Sequence, residues 1–436
     1  MTYHEATAYL NKLIDYEKQP SFQYDAAFKL DRVVALMREL GNPERGWPAL
    51  HVAGTKAKGS VAAYLDALLR AHDHRTGVYT SPHLVSFRER IRMDGAKIEE
   101  NLFAEIMTRL EPWATRWQTE HDEDRLSFFD VLTGVGFEAF RRARIEWGVI
   151  EVGMGGRLDA TNVVQPRVAI IMPIGLEHTK YLGSTVAEIA GEKAGIIKPN
   201  APVVIGCQTQ EAAAVLRKKC AEFGVLPTWM GKDVPVDDKS DPWTLTVDGT
   251  EYPGLRMGMM GAHQRWNFAA SVTALHRAEV PLDPGIVRRV AWETNVPGRL
   301  QVFDGTPPLL LDVAHTPDSA ERLVAAIRER FPDHADRGTT LLFGCSRDKR
   351  VDELARVLAP MAKWVILAQI PGIRSMPMDE MEPSWRTVHG NVETCASVAE
   401  GFSRAREVTS ADGLIVACGS FVLVGAVMEL IGYDPG

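Results

Sequence analysis

One short loop holds the residues in this chain that are best suited to chemistry. The segment from His51 to Ser60 reads His-Val-Ala-Gly-Thr-Lys-Ala-Lys-Gly-Ser and lies between an apolar run and a helix-like run that begins at Val61. In such a loop, backbone N–H groups and the positive end of a helix dipole face an anion, Lys58 adds a point charge, and the Ser60 hydroxyl can ligate Mg²⁺. The pattern predicts a phosphate-binding loop, although its Lys-Gly-Ser order is a variant of the common motif. A tight turn without a ligand is the alternative.

Polar side chains also stand at or just beyond the ends of other predicted strands. They are Ser81 with His83, Glu151, and Glu177 with His178. Because the carboxyl ends of parallel strands share one edge of a sheet, these residues could meet although they are far apart in sequence. Hydroxyl, carboxylate and imidazole groups are suitable ligands for Mg²⁺ or Mn²⁺ beside a nucleotide. Taken singly, Glu151 could cap a helix and His178 could be an ordinary loop histidine, but their joint placement favours ligands.

A glycine-rich segment follows Glu151. It runs from Gly153 to Asn162 and contains three glycines together with Arg157 and Asp159. Glycines allow a ligand to approach the backbone closely, so we expect a binding loop here, with a flexible turn as the alternative.

The elements that must position these residues alternate along the chain. Short apolar runs are followed by segments of helical period, which is typical of an α/β protein with largely parallel strands. In the first part, the expected strands are 50–53, 77–80, 149–152, 168–174 and 203–205, and the expected helices are 6–16, 26–40, 61–71, 128–142, 185–194 and 264–278. Between them, residues 227–253 predict a small β-hairpin.

A second α/β series follows the breaker pair Pro297-Gly298. Its expected strands are 309–313, 340–343, 364–368 and 414–417, and its expected helices are 317–331, 351–361, 392–406 and 421–430. We therefore predict two domains, residues 1–297 and 298–436, with a ligand cleft between them.

Composition narrows the class of protein. The chain has 436 residues, a net charge of −8 and 45% hydrophobic residues, which is typical of a soluble protein of two domains. The negative charge argues against nucleic acid or an anionic membrane as a partner. The five scattered cysteines, and the lack of a signal peptide or a long apolar run, indicate reduced thiols in the cytoplasm. We expect a monomer, since no coiled-coil pattern is evident.

Several long motifs in a fixed order give the chain a recognisable family. They are the loop at 54–60, Tyr79-Thr-Ser-Pro-His-Leu84, Ser127-Phe-Phe-Asp130, the segment 151–162, Gly175-Leu-Glu-His-Thr179, Glu192-Lys-Ala-Gly, His263-Gln-Arg-Trp-Asn267, Pro297-Gly-Arg and Leu311-Asp-Val-Ala-His-Thr-Pro317. Together they closely resemble the dihydrofolate synthase/folylpolyglutamate synthase family of the Mur ligase superfamily, from about residue 5 to about residue 430. The resemblance implies a P-loop parallel-sheet ATPase domain followed by a smaller Rossmann-like α/β domain.

The resemblance also implies roles for individual residues. The ATP-binding positions are Gly54, Thr55, Lys58, Gly59, Ser60, Asn267, Arg299 and Asp312. The metal positions, for two Mg²⁺ ions, are Ser60, Ser81, Glu151, His178 and Lys193. The pterin-binding positions are Ser127, Phe129, Asp130, Asp159 and Ala160. Lys58, Lys193 and His315 are the expected catalytic residues. Lys193 matches a lysine that the superfamily carbamylates, which requires a neutral amine; taken alone, it would be read as a solvated helix lysine.

Five positions depart from the family pattern. Ala57 stands where glycine is usual, and its Cβ could crowd a loop residue that needs a positive φ. Lys56 replaces the bacterial asparagine, and Asp130 replaces a glutamate. Thr316 stands for an asparagine and Val313 for a glycine. None of these changes removes an expected metal or phosphate ligand, so we expect a working enzyme.

The resulting hypothesis is an ATP-dependent ligase that adds L-glutamate to a folate-type carboxylate through an acyl phosphate. Its substrates would be ATP, L-glutamate and dihydropteroate or a tetrahydrofolate polyglutamate. A cell-wall precursor ligase of the same superfamily is one alternative, but only 53 residues precede Gly54, which is short for the extra N-terminal domain of such enzymes. A nucleotide-binding homologue without turnover is the other, and Ala57 and Thr316 are the features that favour it.

Overall fold

The chain folds around two separate β-sheets, each covered by helices. The structure is a computed structural model that describes residues 1–19, 21–333 and 338–435. Its α-helices in these ranges are α1 Tyr3–Leu10, α2 Tyr24–Ala27, α3 Leu30–Glu39, α4 Lys58–Ala71, α5 Glu100–Glu120, α6 Phe128–Ala143, α7 Thr179–Leu182, α8 Val186–Lys193, α9 Gln210–Glu222, α10 His263–Arg277, α11 Pro284–Glu293, α12 Pro317–Arg330, α13 Val351–Leu358, α14 Met378–Arg386, α15 Val398–Val408 and α16 Phe421–Leu430.

The strands divide between the two sheets and one hairpin. They are β1 Ala49–Ala53, β2 Thr76–Tyr79, β3 Ile91–Met93, β4 Ala96–Lys97, β5 Trp147–Glu151, β6 Pro166–Ile171, β7 Val203–Ile205, β8 Pro227–Trp229, β9 Trp243–Val247, β10 Thr250–Leu255, β11 Gln301–Phe303, β12 Leu309–Leu311, β13 Thr339–Phe343, β14 Ala362–Ala368, β15 Val392–Cys395 and β16 Leu414–Cys418. Strands β9 and β10 pair in antiparallel fashion and form the hairpin that the sequence predicts.

The first sheet has eight strands in the order β4-β3-β2-β5-β1-β6-β7-β8. The six strands from β2 to β8 in this order are parallel, and β3 and β4 extend one edge in antiparallel fashion. Every residue of β1 is buried, because helices cover both faces of the sheet. The carboxyl ends of β2, β5, β1 and β6 lie side by side, so the segments that follow them open onto one edge of the sheet.

The second sheet has six strands in the order β11-β12-β16-β13-β14-β15. All its pairs are parallel except the antiparallel pair of β11 and β12. Both sheets are therefore mixed at an edge, whereas the resemblance implied a parallel sheet for the ATPase domain.

The first part of the chain also supplies residues to the packing of the second sheet. Leu84 and Val85, which follow β2, pack against the apolar cluster on one face of the second sheet. Gly425 in α16 lies so close to Leu84 that a Cβ atom there would stand 2.0 Å from the Leu84 carbonyl oxygen. Glycine is therefore required at this point of close contact.

Three expected helices are wrong in detail. The stretch 392–406 is not one helix, because Val392–Cys395 forms the edge strand β15 and Ser397 caps a new helix by accepting a hydrogen bond from the Glu400 N–H. The expected helix 26–40 is broken between Ala27 and Leu30, where the backbone is extended. The expected helix 6–16 ends at Leu10.

None of the helices in the described ranges is long and apolar enough to cross a membrane.

Candidate active site

The loop between β1 and α4 has the backbone that its glycines and alanine predict. Gly54 has φ +155°, and a Cβ atom there would lie 2.9 Å from Cβ of Met172. Thr55 ties the loop to the segment after β6, because its Oγ1 donates to the Gly175 carbonyl at 3.1 Å. Ala57 directly precedes α4 in the left-handed region, with φ 72°. The expected strain at Ala57 is thus present in the structure.

We expect that Ala57→Gly raises the free energy of unfolding by about 1 kcal/mol, because an L-residue in the left-handed region costs roughly 1–2 kcal/mol and glycine does not. Urea unfolding would measure the change. Ala67→Gly, in the interior of the same helix, should instead lose about 1 kcal/mol. Equal losses in both variants would contradict strain at Ala57.

Two lysine amines meet at the carbonyl oxygen of Gly54. Lys58 Nζ, from the first turn of α4, donates to it at 3.1 Å, and Lys193 Nζ, from the last turn of α8, donates at 3.0 Å. Lys193 is buried, which corrects the view that it is a solvated helix lysine. Burial, and secondly the charge of Lys58, lower the pKa of Lys193 to about 7. Near neutral pH its amine is therefore partly unprotonated.

A buried carboxylate lies beside these amines. Glu151, the last residue of β5, accepts a hydrogen bond from the Ser81 N–H at 3.3 Å and lies 3.8 Å from the Cβ position of Gly59. Burial raises its pKa, although Lys58 lowers it in part. The structure thus joins the ends of β2 and β5 to the start of α4, as their placement at one sheet edge predicts.

The segment after β6 contributes Glu177 and His178. His178 adopts the left-handed region with φ 52°, which is uncommon for a residue other than glycine. His178 remains accessible to solvent, but the protein atoms around its ring partly desolvate it. This desolvation lowers the pKa of His178 to about 4; Glu177 opposes the shift, and the charges of Lys193 and Lys349 add to it. Burial would raise the pKa of Glu177, and the nearby basic side chains of His178 and Lys58 lower it overall. The His178 ring is therefore neutral at physiological pH and can act as a ligand.

The second sheet brings three expected residues toward this edge. Asp312 follows β12 and accepts hydrogen bonds from the N–H groups of Leu300 and Ala314, both at 2.8 Å. Burial raises its pKa, and Arg299 lowers it in part. Arg299 is exposed, with its guanidinium 5.5 Å from the centre of the Phe421 ring. The Arg299 charge also acts on the pKa of Glu151, so the two domains face each other here.

His315 is held in one tautomer. Its Nδ1 lies 2.8 Å from the Val313 carbonyl oxygen, which can only accept, so Nδ1 carries the proton and Nε2 is free of one. Burial, and then Lys349, lower the pKa of His315 to about 4. Thr316 accepts the Ser319 N–H and caps α12, so threonine at this position supports the helix that follows His315.

An ion pair joins the phosphate loop to the second domain. The Lys56 amine donates to a carboxylate oxygen of Asp318, which lies in the first turn of α12. The resemblance gave Lys56 no role, so this contact is new information from the structure.

Two further expected nucleotide residues are Ser60, which is buried in the first turn of α4, and Asn267. Asn267 is buried in α10, where its side-chain amide donates to Oε1 of Gln264 at 2.9 Å. Helix α10 packs on α4, since the Ser271 hydroxyl lies 3.4 Å from the Val61 carbonyl. Asn267 is thus positioned by the helix that supports the phosphate loop.

The expected pterin residues divide into two groups. Phe129 and Asp159 converge on Gly153, because a Cβ atom there would lie 2.6 Å from Phe129 and 3.2 Å from Asp159. Burial raises the pKa of Asp159 to about 6. By contrast, Ser127 and Asp130 form a capping box at the start of α6, and Asp130 also pairs with Arg32 at 2.7 Å. Ala160 is buried directly after Asp159.

A buried histidine supports this pocket from β1. His51 Nε2 lies 3.0 Å from the Thr161 hydroxyl, which in turn donates to Asp159. Burial, followed by the charge of Lys198, lowers the pKa of His51 to about 3. His51 is thus neutral in the folded protein, but it takes up a proton near pH 6.5 when the chain unfolds.

We expect the free energy of unfolding of His51→Gln to fall less steeply than that of the wild-type protein as the pH decreases below about 6.5. The folded pKa lies below the unfolded one, so the contribution of His51 is complete above about pH 6.5 and falls by about 1.4 kcal/mol per unit as the pH decreases toward 3. Urea unfolding of both proteins between pH 7 and pH 5 measures the two slopes. Equal slopes would show that His51 does not contribute.

Two residues near the site were not among the expected site residues. Glu177 interacts electrostatically with Lys58, Lys193, His178 and His315, whereas the sequence marks it only as a polar residue beyond a strand. Lys349, on the loop before α13, acts on both His178 and His315 from the second domain. The pair Glu177-His178 was a usable signal, whereas no feature of the sequence distinguished Lys349.

Comparison with known families assigns the class. A model described as the Mur ligase middle domain matches residues 118–275, and one described as the Mur ligase glutamate ligase domain matches residues 298–421. With the phosphate loop, the two sheets and the residues that face each other between them, these matches define an enzyme of the Mur ligase class.

Individual relatives are more specific. The chain is 32% identical over 450 residues to the dihydrofolate synthase/folylpolyglutamate synthase of Mycobacterium tuberculosis, covering 93% of this chain and 90% of the relative. It is 31% identical over 434 residues to a probable bifunctional folylpolyglutamate synthase/dihydropteroate synthase of Haloferax volcanii, covering 97% of this chain but only 50% of that protein's length. The chain therefore belongs to the dihydrofolate synthase/folylpolyglutamate synthase family.

A solved structure agrees with this assignment. The bifunctional folylpolyglutamate synthase/dihydrofolate synthase from Yersinia pestis, complexed with AMPPNP and a Mn ion, matches with a TM-score of 0.83 at 26% identity, covering 99% of this chain and 98% of that one.

Proposed function

We propose that this protein is an ATP-dependent ligase that joins the amine of L-glutamate to the carboxylate of a folate-type acceptor, either dihydropteroate or a tetrahydrofolate polyglutamate or both. The observation that carries the proposal is the meeting of the Lys58 and Lys193 amines at the Gly54 carbonyl, beside the buried carboxylate of Glu151. This arrangement places two lysine amines and a carboxylate at a phosphate loop, where the charge of the transferring phosphoryl group has to be neutralised.

In the first step, the acceptor carboxylate attacks the γ-phosphate of ATP, which gives an acyl phosphate and ADP. Lys58 and Arg299 neutralise charge on the transferring phosphoryl group, from opposite domains. Gly54, Thr55, Gly59 and Ser60 are proposed to hold the phosphates, and Asn267 and Asp312 the rest of the nucleotide.

In the second step, the neutral glutamate amine attacks the acyl carbonyl, and the acyl carbon–oxygen bond breaks to release phosphate, which takes up the proton that the nitrogen loses as the amide forms. His315 is proposed to accept a hydrogen bond from the attacking amine at Nε2, since Nδ1 is occupied by the Val313 carbonyl. The approach of the second domain excludes water, which would otherwise hydrolyse the acyl phosphate.

The residues at this edge fit a divalent cation. Glu151 is a buried carboxylate whose pKa is raised by burial, so a nearby cation would favour its charged form. Ser60, Ser81 and neutral His178 are further suitable donors. Among the described residues, no group of three or more His, Cys, Asp and Glu side chains is arranged to hold a metal, so phosphate and water oxygens would complete the two proposed sites. Bound Mg²⁺ would offset charge on the phosphates.

Lys193 fits the carbamylated lysine of the superfamily. Carbamylation requires an unprotonated amine, and a buried amine whose pKa is lowered to about 7 meets that requirement. The carbamate would form on Lys193 Nζ and would add an anionic oxygen beside it.

The folate-type acceptor is proposed to bind between Phe129, Asp159 and Ala160. An aromatic side chain and a buried carboxyl group suit a flat ring that has N–H donors. Ser127 and Asp130 would shape this pocket through the start of α6, because their side chains are occupied in its cap.

The proposal extends to the organisation of the chain. We assign residues 1–297 and 298–436 to two domains that close on the substrates, supported by the separate sheets. We propose a monomer that acts in the cytoplasm on small molecules, without nucleic acid or membrane.

Phosphate release with ATP, Mg²⁺ and L-glutamate tests the function, with 7,8-dihydropteroate and tetrahydrofolate compared as acceptors. Release that depends on an acceptor, together with the glutamylated product, is the expected result, and the acceptors used distinguish a bifunctional from a monofunctional enzyme. ATP binding by folded protein without release on either acceptor would instead indicate a homologue that has lost turnover.

A further inference from the structure

Among the described residues, polar side-chain contacts link the two domains at several places. The Arg374 guanidinium donates to the Glu17 carbonyl, the Arg92 guanidinium donates to the Pro435 carbonyl at 3.1 Å, and the Lys97 amine pairs with Asp434. Lys97 lies on the edge strand β4, which three strands separate from β1. The contact between Lys56 and Asp318 differs because it starts from the phosphate loop itself.

The position of Asp318 connects this contact to the catalytic residues of the second domain. Asp318 is the second residue of α12, and the helix dipole favours a carboxylate there. The preceding turn contains Thr316, which caps the helix, and His315. The backbone N–H of His315 donates to the Ser319 hydroxyl at 3.2 Å. A force that holds Asp318 in place therefore also fixes the turn that carries His315.

The Lys56 side chain is suited to this contact, because among residues 1–19, 21–333 and 338–435 it has no other hydrogen-bond or ion-pair partner. Its backbone N–H lies 3.4 Å from the Pro173 carbonyl, so the loop is fixed while the side chain extends toward α12. The side chain is 30% exposed and that of Asp318 is 64% exposed. A pair this accessible adds little to the stability of the fold, but it can shift the balance between open and closed arrangements of two domains.

We propose that Lys56 is a positioning residue that docks α12 of the second domain onto the phosphate loop and thereby places His315 for the reaction. The contact holds the domains in the arrangement needed for glutamate to attack. The kinetic part of this inference rests on the proposed ligase function, and the docking part does not. The competing role for Lys56 is direct contact with an ATP phosphate.

A double-mutant cycle separates these roles. We expect Lys56→Gln and Asp318→Asn each to lower kcat/KM for glutamate about fivefold, and the double variant to lower it no further, because all three lose the same contact. KM for ATP should change little. Lys56→Arg, which retains the charge, should restore most of the rate, and Lys97→Gln removes a remote interdomain pair as the matched control. If Lys56→Gln instead raises KM for ATP while Asp318→Asn has no effect, the docking role is wrong.

Hydrogen exchange of the ADP-bound protein tests docking without turnover. We expect the backbone amides of residues 315, 316 and 318–320 to exchange faster in both single variants than in the wild-type protein, and Lys97→Gln to leave them unchanged. Unchanged exchange in both single variants would overturn the proposal. A protein that shows the expected exchange but no ligase activity would refute the proposed function and leave the docking role in place.

Discussion

Lys193→Ala is expected to lower kcat by about 10²–10³-fold, the usual cost of removing one preorganised group that stabilises charge in the transition state. The reason is the location of Lys193, whose buried amine donates to the Gly54 carbonyl at 3.0 Å within the phosphate loop. Phosphate release with the full set of substrates measures the effect. Lys198→Gln, which changes a lysine on the same segment outside the proposed site, is the matched control and should retain the rate.

The Lys193 prediction includes its chemical form. With ¹³C-bicarbonate, the wild-type protein should show a carbamate carbon signal that is absent from the Lys193→Ala variant. Because only the neutral amine reacts, and the pKa of Lys193 is lowered to about 7, the signal should grow as the pH rises through 7. Lys193→Arg keeps a positive charge but does not form this carbamate. Full activity of that variant would show that Lys193 acts only as a cation.

Glu151→Gln is expected to separate activity from stability. It removes the charge of a proposed metal ligand but keeps a side-chain oxygen that can accept the hydrogen bond from the Ser81 N–H. We expect kcat to fall about 10²–10³-fold. The free energy of unfolding of the unliganded variant should be about 1 kcal/mol higher than that of the wild-type protein. Burial already raises the pKa of this carboxyl group, and glutamine avoids burying a charge.

The melting temperature with and without Mg²⁺ and ATP provides the second readout for Glu151. These ligands should raise the melting temperature of the wild-type protein more than that of the variant, because ligands stabilise the state they bind. Glu89→Gln is the comparison, since Glu89 is also buried but accepts hydrogen bonds from the N–H groups of Leu84, Val85 and Ser86. Stability should fall in that variant. A fall of the same size in Glu151→Gln would contradict our interpretation of its burial.

The parts of the fold that could be predicted are those in which local sequence and burial agree. The apolar run of β1, the loop and α4 are an example, since the loop residues leave few other conformations for the chain. Helix α16 was also predicted with its observed ends, Phe421–Leu430. The left-handed backbone at Ala57 followed from the position of glycine in related sequences, and the structure confirms it.

Elements set by tertiary contacts could not be predicted in the same way. Val392–Cys395 precedes a helix without a strong breaker, and its strand conformation depends on pairing with β14 at the sheet edge. The burial of Lys193 is a similar case, because nothing local to α8 indicates that its last turn faces the phosphate loop. Lys349 and the ion pair of Lys56 with Asp318 depend on how the two domains meet.

The contact of Leu84 with Gly425 has a consequence for how the protein melts. Leu84 and Val85 belong by sequence to the first sheet, yet they pack against the apolar cluster of the second. Unfolding the second sheet would expose these side chains to water, and unfolding the first would remove them from that cluster. Neither half can lose its structure without a free-energy cost to the other, so the two halves are thermodynamically coupled and tend to unfold as one cooperative unit.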